Sequence, residues 1–578
     1  MRTHHRSLAA TGLMLLTTLA LSGCPSRDKN VCEQACEHIA ECLGKSPSEL
    51  SCPISASCGT QDRCTAGCYQ AASCDTISGK QSSGMRALAT CLGTCISLTS
   101  DGGTVGNEST WYFPQDGNKD VDILFVLDTS NSMAEEQATL SKNFPLFIDA
   151  LRTAKLGNKI PNVHIGVTTV DLGAGNYSLP SCEVAGGDGG KLQTMPRIAG
   201  CTPPGNPYIS YIDGVTNVKS AVTDPVQQVK QAFQCIVEIG TGGCGFEQTL
   251  ETARRALDPA LNVNPGFIRK DASLAVVFIT DEDDCSAANA GLYDPNADEL
   301  GPLTSFRCFQ HGFICTESDL TTAGPKTHCT PGLTWLHTVD SYVQFFKGLK
   351  PAGRVLMMAI AGPTDKVDVG LDAMNPVLRP SCQTTMGKGV PAIRIRQVVE
   401  AFGAAGRFNQ GIAASGQLVP LSICSPDYSP ALHLLAQQVT GTVMGLGAQC
   451  LPDPPLTSSG GLVCKAGEVL SSSVSCQQSC LEQADCIVEE TVNQGAAVVV
   501  PRCDAASFEN PANISCGGTC PCWRIVPAAG CASGGNAPYG FEILRSGAAA
   551  AGTTAKVTCR TSLHAWGSSE LAALPQCK

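Results

Sequence analysis

Basic residues are in short supply in this chain: 39 lysines and arginines face 51 acids, a formal net charge of −12 over 578 residues. No basic patch of the kind that holds a phosphate backbone is present, which excludes nucleic acid as a partner. The acids are spread thinly and serve solubility. Long hydrophobic runs are missing too. After an N-terminal stretch from about Leu8 to Leu21, no apolar run approaches the ~18 residues a membrane helix needs. The longest, "RVLMMAIAG", reads as a strand. The N-terminal stretch follows Arg2 and Arg6 and leads into small residues, the anatomy of an export signal over residues 1–23. Its removal takes away two positive charges and no acid, so −12 becomes −14. Catalytic patterns are also lacking: there is no G-x-S-x-G elbow and no H-E-x-x-H zinc motif. His164, His311 and His328 are scattered over strand, loop and surface positions. Neither a hydrolytic base nor an enzyme is expected.

Cysteine, by contrast, is abundant, with 33 residues. With Cys24 set aside, the rest divide evenly: ten from Cys32 to Cys95, ten from Cys182 to Cys424 and twelve from Cys450 to Cys577. Even counts predict disulfides closed within each region, in an oxidising compartment. Spacing does not reveal their connectivity. The run "CGGTCPC" (Cys516, Cys520, Cys522) offers a zinc cluster or a thiol–disulfide redox pair. No partner pair follows at ligand spacing, and the even counts favour structural bridges.

Residues 24–100 repeat Cys32-x3-Cys36-x5-Cys42 as Cys64-x3-Cys68-x5-Cys74, and Cys91-x3-Cys95 adds a third pair. A spacing of i and i+4 sets two sulfurs on one helix face, so two antiparallel helices can be stapled by disulfides. Large apolar residues are few here, so bridges must substitute for a core. Residues 101–119, within "TSDGGTVGNEST" and beyond, read as an extended or mobile linker. From 120 to 445, apolar strands alternate with amphipathic helices, which predicts a doubly wound α/β sheet. "VDILFVLD" is continuously apolar, as a strand buried on both faces requires. In the helix that follows, Leu140, Phe144, Phe147, Ile148 and Leu151 share one side, and Pro145 is expected to bend or shorten it. Cysteine-bearing insertions at 182–201, 285–329 and 382–424 are too long to stay ordered unless disulfides pin them. Residues 446–578 carry short strand-like pieces between Gly and Pro, a small β-rich domain.

In an open α/β sheet, ligands bind beyond the carboxyl ends of the central strands. Asp128 ends the first strand, with Ser130 and Ser132 in the loop after it, and Asp281 ends "LAVVFITD". Thr241 lies on the Gly-rich stretch "IGTGGCGFEQ" before another helix. Carboxylates and hydroxyls are hard donors that suit Mg2+ or Ca2+. Thr249 competes with Thr241 but falls in the helical stripe of Phe246, Leu250, Ala253 and Leu257. Asp171, after "GVTTV", reads as a loop-capping acid.

The D-x-S-x-S motif, the later threonine and the strand-ending T-D resemble the metal-ion-dependent adhesion site of von Willebrand factor A and integrin I domains. That resemblance covers roughly residues 120–445. It implies a doubly wound A-type fold and a metal set of Asp128, Ser130, Ser132, Thr241 and Asp281 holding Mg2+ or Ca2+. One coordination position would stay open for an acidic group of a protein or polysaccharide ligand. The family follows the second aspartate with glycine, whereas "TDEDDC" places Glu282, Asp283 and Asp284 there, as extra cation donors or as a solvated acidic loop held by Cys285. Leu21-Ser22-Gly23-Cys24 is similar to the lipobox of bacterial lipoproteins, which implies lipidation of Cys24. Pro25 in place of an aspartate points to the outer membrane. The whole combination resembles cysteine-rich lipoproteins of myxobacteria. The expected function is cation-dependent ligand binding at the cell envelope; a purely structural envelope lipoprotein is the alternative, ahead of a hydrolytic or thiol–disulfide enzyme.

Overall fold

The computed structural model describes residues 31–44, 60–77, 107–115, 120–152, 160–180, 182–194, 204–351, 353–402, 406–413, 418–444, 449–451, 455–456, 484–493, 495–503, 521–527, 539–545, 549–550 and 552–561. The expected export signal and Cys24 lie outside the described residues. Among those described, no helix is long and apolar enough to cross a membrane.

The repeated cysteine spacing near the N-terminus does produce helices, Val31–Leu43 and Thr60–Ala71, followed by a short one at Cys74–Ile77. The first two pack on each other, Cys42 bridges Cys74, and Cys36 and Cys68 are disulfide-bonded as well. His38 lies close to Cys42 and Cys74, but both sulfurs are consumed by their shared bridge, so they are no metal site.

The segment 101–119 departs from its reading as a linker. Asn107–Pro114 is a strand, β1, paired antiparallel with Thr553–Thr561 near the other end of the chain. Thr110, Trp111, Tyr112 and Phe113 are residue types that suit a half-buried pleated surface. Trp111 joins Val488, Val557 and Cys559 in the core of the β-rich region. The sheet runs β1, Thr553–Thr561, Cys486–Val492, Val498–Val499. A disulfide links Cys486 to Cys559, which face each other in its central pair of strands. The α/β unit is therefore spliced into the β-rich unit, after its first strand. A second small sheet joins Gln449–Cys450, Tyr539–Leu544 and Cys522–Pro527. Cys522 is bridged to Cys503, which takes it out of the zinc and redox readings; Cys516 and Cys520 lie outside the described residues.

Between these ends, β2 (Asp120–Leu127), β3 (Asn162–Thr169), β4 (Ile209–Ile212), β5 (Val215–Thr216), β6 (Ser273–Ile279), β7 (Val355–Ile360) and β8 (Gly406–Phe408) form one sheet. Its order is β8-β7-β6-β2-β3-β4-β5. The five strands from β8 to β3 run parallel, and β4 and β5 add an antiparallel edge. Apolar runs this continuous must be covered on both sides, and they are. Val121, Ile123, Phe125 and Leu127 of β2 share a core with the helices Ala134–Ala150, Pro225–Val237 and Ser429–Met444. Leu124 and Val126 share the opposite one with Thr249–Leu257, Val339–Gly348 and Ile393–Glu400. The result is a mixed, mostly parallel sheet between two helical layers.

Pro145 does not shorten its helix, which runs 17 residues. A proline leaves the carbonyl four residues back without its donor. That carbonyl belongs to Ser141, and Gln234 Nε2 donates to it at 3.3 Å. The long insertions are pinned as expected, by Cys182–Cys244, Cys285–Cys308, Cys315–Cys329 and Cys382–Cys424. The third is not all loop, because it contains the helix Ile393–Glu400.

Trp111→Ala should cost the β-rich region about 3–5 kcal/mol, the usual range for deleting a buried tryptophan. Urea unfolding of the oxidised protein measures this. An unchanged midpoint would mean that β1 is not part of that core.

Candidate cation site

β2 and β6 are parallel neighbours, with Leu127 beside Ile279. The residues that follow, Asp128 and Thr280, leave the sheet side by side. Thr280 Oγ1 donates to Asp128 Oδ2 at 2.7 Å, and the Asp128 N–H donates to the Ile279 carbonyl at 3.0 Å. The Ser130 N–H donates to Asp128 Oδ1 at 2.7 Å, which turns the loop back over the carboxylate. The Ser130 and Ser132 hydroxyls lie 3.2 Å apart, and Ser132 acts on the Asp281 carboxyl group, favouring its charged form. Three of the five residues expected to hold a metal thus fall into one hydrogen-bonded group, with Asp281 acting on it from the end of β6. Asp128 is 0% exposed and Asp281 3%.

Thr241 is not drawn into that group. Its loop is fastened beside it: Gln137 Nε2 donates to the carbonyls of Asp128 and Gly240, and its Oε1 accepts the Gly240 N–H, each at 3.0 Å. The Gly243 N–H donates to the Thr129 carbonyl at 2.9 Å. A Cβ on Gly243 would sit 2.0 Å from Thr129 Oγ1, so only glycine allows this approach. Thr241 itself is half-buried, and among the described residues no hydrogen bond joins it to Asp128, Ser130, Ser132 or Asp281. Thr249 opens its helix fully buried, with Oγ1 unpartnered. Asp171 caps its own loop, accepting the Gly173 N–H at 2.8 Å.

Two glutamates reach this region that the sequence reading missed. Glu247 closes the loop of Thr241. Its carbonyl accepts the Cys285 N–H at 2.7 Å, and the next N–H, on Gln248, donates to Val170 at 3.1 Å. Both anchors lie just past the ends of β6 and β3. Its side chain is 1% exposed, neither carboxylate oxygen has a hydrogen-bond partner, and the charges of Glu282, Asp128 and Asp281 act on it. Glu136, in the first turn of the helix after the loop, is equally buried, with both oxygens unpartnered. It lies against Gly387, where a Cβ would meet its Oε1 at 1.8 Å. The signal for both lay in the sequence as acids flanking the motif loops, but a search for hydroxyl donors passes over them.

The "EDD" run is neither a solvated loop nor three equivalent cation donors. Asp283 accepts the N–H groups of Arg394 and Ile395 at 3.0–3.3 Å, where a carboxylate complements the start of the helix Ile393–Glu400. Asp284 pairs with the wholly buried Arg394 at 3.0 Å and caps Leu250 N–H at 2.8 Å. Glu282 alone faces the cluster. His164 and His311 are spent on the carbonyls of Phe267 and Leu300, and His328 bonds Thr316 at an exposed position.

Asp128, Glu136, Glu247, Asp281 and Glu282 make no ion pair among the described residues, and each has its proton affinity raised. Burial is the first cause in each case. It pushes Asp281 up to about 8, with Asp128 and Glu282 adding to it. Glu136 is pushed up to about 7, and Glu247 well above the ordinary range, with Glu282 and Asp128 adding to it. Asp128 and Glu282 also rise. The unpartnered Oδ1 of Asp281 and the Ser130 and Ser132 hydroxyls are hard oxygen donors of the kind a divalent cation takes, while among the described residues no three acid, histidine or cysteine ligand atoms of this region lie within 4.8 Å of one another.

No protein-family model matches the chain, and no curated protein matches it. Among solved structures, the pilus adhesin SpaC from Lactobacillus rhamnosus GG in its open conformation is 13% identical, with a TM-score of 0.26. The match covers 80% of this chain and 42% of that one, so this chain spans less than half of it. The adhesive tip pilin GBS104 from Group B Streptococcus agalactiae is 11% identical over 79% of this chain and 81% of that one, with a TM-score of 0.23. Values this low carry no argument about fold or function.

The carboxyl groups yield a pH prediction for the protein in chelator. Their folded pKa values exceed the ordinary 3.8 of Asp281 and 4.5 of Glu136, so the folded state binds more protons. The stability tied to them is complete below those values and is lost as pH rises through about 7 and 8. In EDTA the Tm should therefore fall between about pH 5 and 8, and Asp281→Asn should flatten the fall. A Tm that climbs across this range in both proteins would contradict the assignment.

Proposed function

We propose that this chain is a cell-envelope lipoprotein that binds a protein or polysaccharide ligand through a divalent cation, Mg2+ or Ca2+, in a domain of the von Willebrand factor A type. The observation that carries this reading is the convergence of Asp128, Ser130 and Ser132 after β2 with Asp281 after β6, where the Asp281 Oδ1 is buried and unpartnered. The β2 end is also where the chain departs to neighbours on either side, β3 first and β6 later, the place where ligands sit in open α/β sheets. Asp128, Ser130, Ser132 and Asp281 would hold the ion, with the loop of Thr241 beside them. A bound ion supplies a Lewis-acidic position to which an acidic group of the ligand can bind. The chain's own contribution is to hold the serine loop rigid, through the Asp128 hydrogen bonds, and to keep water from the carboxylates. Lipidation of Cys24 would place the molecule on the outer membrane.

Two measurements test this. Elemental mass spectrometry of the purified, dialysed protein should find bound Mg2+ or Ca2+, and Asp128→Ala should remove it while leaving thermal unfolding cooperative. Full cation retention by Asp128→Ala would refute the site. Independently, Cys24→Ala should move the protein from the membrane fraction to the soluble one, and intact mass spectrometry should lose the lipid increment. An unmodified, soluble wild type would end the lipoprotein reading.

A further inference from the structure

We propose that the Cys42–Cys74 bridge is a thiol–disulfide exchange site, at which a dithiol partner attacks Cys74 while Cys42 departs as a thiolate beside His38. The inference stands apart from the cation site and rests on other residues.

The case starts from what each bridge exposes. Exchange requires a thiolate to reach one sulfur of the bond, so access governs its rate. Every other bridge described at both ends has at least one buried cysteine: Cys244, Cys285, Cys315, Cys424, Cys522 and Cys559 are 0–2% exposed. Cys74 is exposed and Cys42 half-buried. Their position follows from the repeat. Each is the third cysteine of its C-x3-C-x5-C run, beyond the pair that shares a helix face. Cys42 falls in the last turn of Val31–Leu43, and Cys74 opens the short helix Cys74–Ile77, just past the end of Thr60–Ala71. The bridge therefore ties the end of the first helix to the segment after the second.

His38 supplies the other half of the chemistry. It stands one turn before Cys42 on the same helix face, with Nδ1 3.9 Å and Nε2 3.8 Å from Cys42 Sγ. Nε2 also lies 3.0 Å from the Ala72 carbonyl, which can only accept, so Nε2 carries a proton and the ring is held against the bridge. A sulfur beside a cationic imidazole departs more readily, because the charge stabilises its thiolate. Attack thus falls on the exposed sulfur and departure on the one beside the ring. The partner thiolate bonds to Cys74 Sγ as the Cys42–Cys74 bond breaks. The bonding pair leaves on Cys42 Sγ, which takes a proton from the imidazolium. The partner's second thiolate then attacks its own first sulfur and releases Cys74. Two electrons pass from the dithiol to the bridge, Cys42 and Cys74 end as thiols, and the partner leaves as a disulfide. Opening removes the covalent tie between Val31–Leu43 and Cys74–Ile77.

The test is brief treatment of the mature, oxidised, folded chain with dithiothreitol, quenched with iodoacetamide, with peptide mass spectrometry reading each cysteine. Cys42 and Cys74 should be alkylated at least about tenfold faster than Cys486 and Cys559. With glutathione as a monothiol probe, the adduct should sit on Cys74 and the free thiol on Cys42. His38→Gln should slow the opening of Cys42–Cys74 by about threefold or more and leave that of Cys315–Cys329 unchanged. Circular dichroism checks that this variant keeps its helices; should it not, the wild-type rates and the adduct position decide by themselves. Earlier opening of another described bridge, an adduct on Cys42, or an unchanged rate in folded His38→Gln overturns the inference.

Discussion

Leu127 lies beside Ile279 because β2 and β6 run parallel and in register, and that alignment governs where charge gathers in the molecule. Two strands that end level deliver their next residues to one place. Asp128 and Thr280 meet there at 2.7 Å, and Asp281 comes within reach of Ser132. A shift of one residue in register would turn each side chain to the opposite helical layer and separate the two acids. The site is in this sense a property of sheet pairing before it is a property of any side chain.

Holding acids so close in a dry place is costly, and the surroundings show how the cost is contained. Three of the acids near the end of β6 go to different tasks. Asp283 complements a helix start, Asp284 neutralises Arg394, and Glu282 turns to the cluster. Gln137 ties two loops together through three hydrogen bonds, and Gly243 permits their close approach. Disulfides then hold the long insertions that roof the sheet, so the loops around the acids are fixed by covalent links as well as by packing. A rigid frame of this kind keeps mutually repelling carboxylates in place, where a mobile one would let them turn out to water.

The strands and helices of the α/β unit were legible because each is strongly periodic. "VDILFVLD" and "LAVVFITD" are continuously apolar and flanked by amphipathic helices, and short strand-like pieces of the C-terminal region appear as strands, among them Cys486–Val492, Cys522–Pro527 and Tyr539–Leu544. The segment 101–119 was misread because its Gly- and Ser-rich start suggests a linker, while its partner strand lies more than 400 residues away. Pro145 does not end its helix, and the donor for the carbonyl it leaves free, Gln234, comes from another helix. The helix Ile393–Glu400 was hidden inside an insertion defined by its cysteines, with its start capped by an acid from a distant loop.

By itself, the sequence determined the alternation of strands and helices, the oxidised state implied by even cysteine counts, and the placement of Asp128, the two serines and Asp281 at strand ends. Those follow from local periodicity and from residue chemistry. Which loop residue is buried was decided by the tertiary structure alone. Thr241 and Glu247 sit six positions apart on one stretch, and both suit a hard cation. The hydrogen bonds from Cys285 to the Glu247 carbonyl and from Gln248 to Val170, made across the sheet, bury the second, while the first stays half-buried. Proximity across a fold depends on pairing between distant segments, which no local pattern encodes.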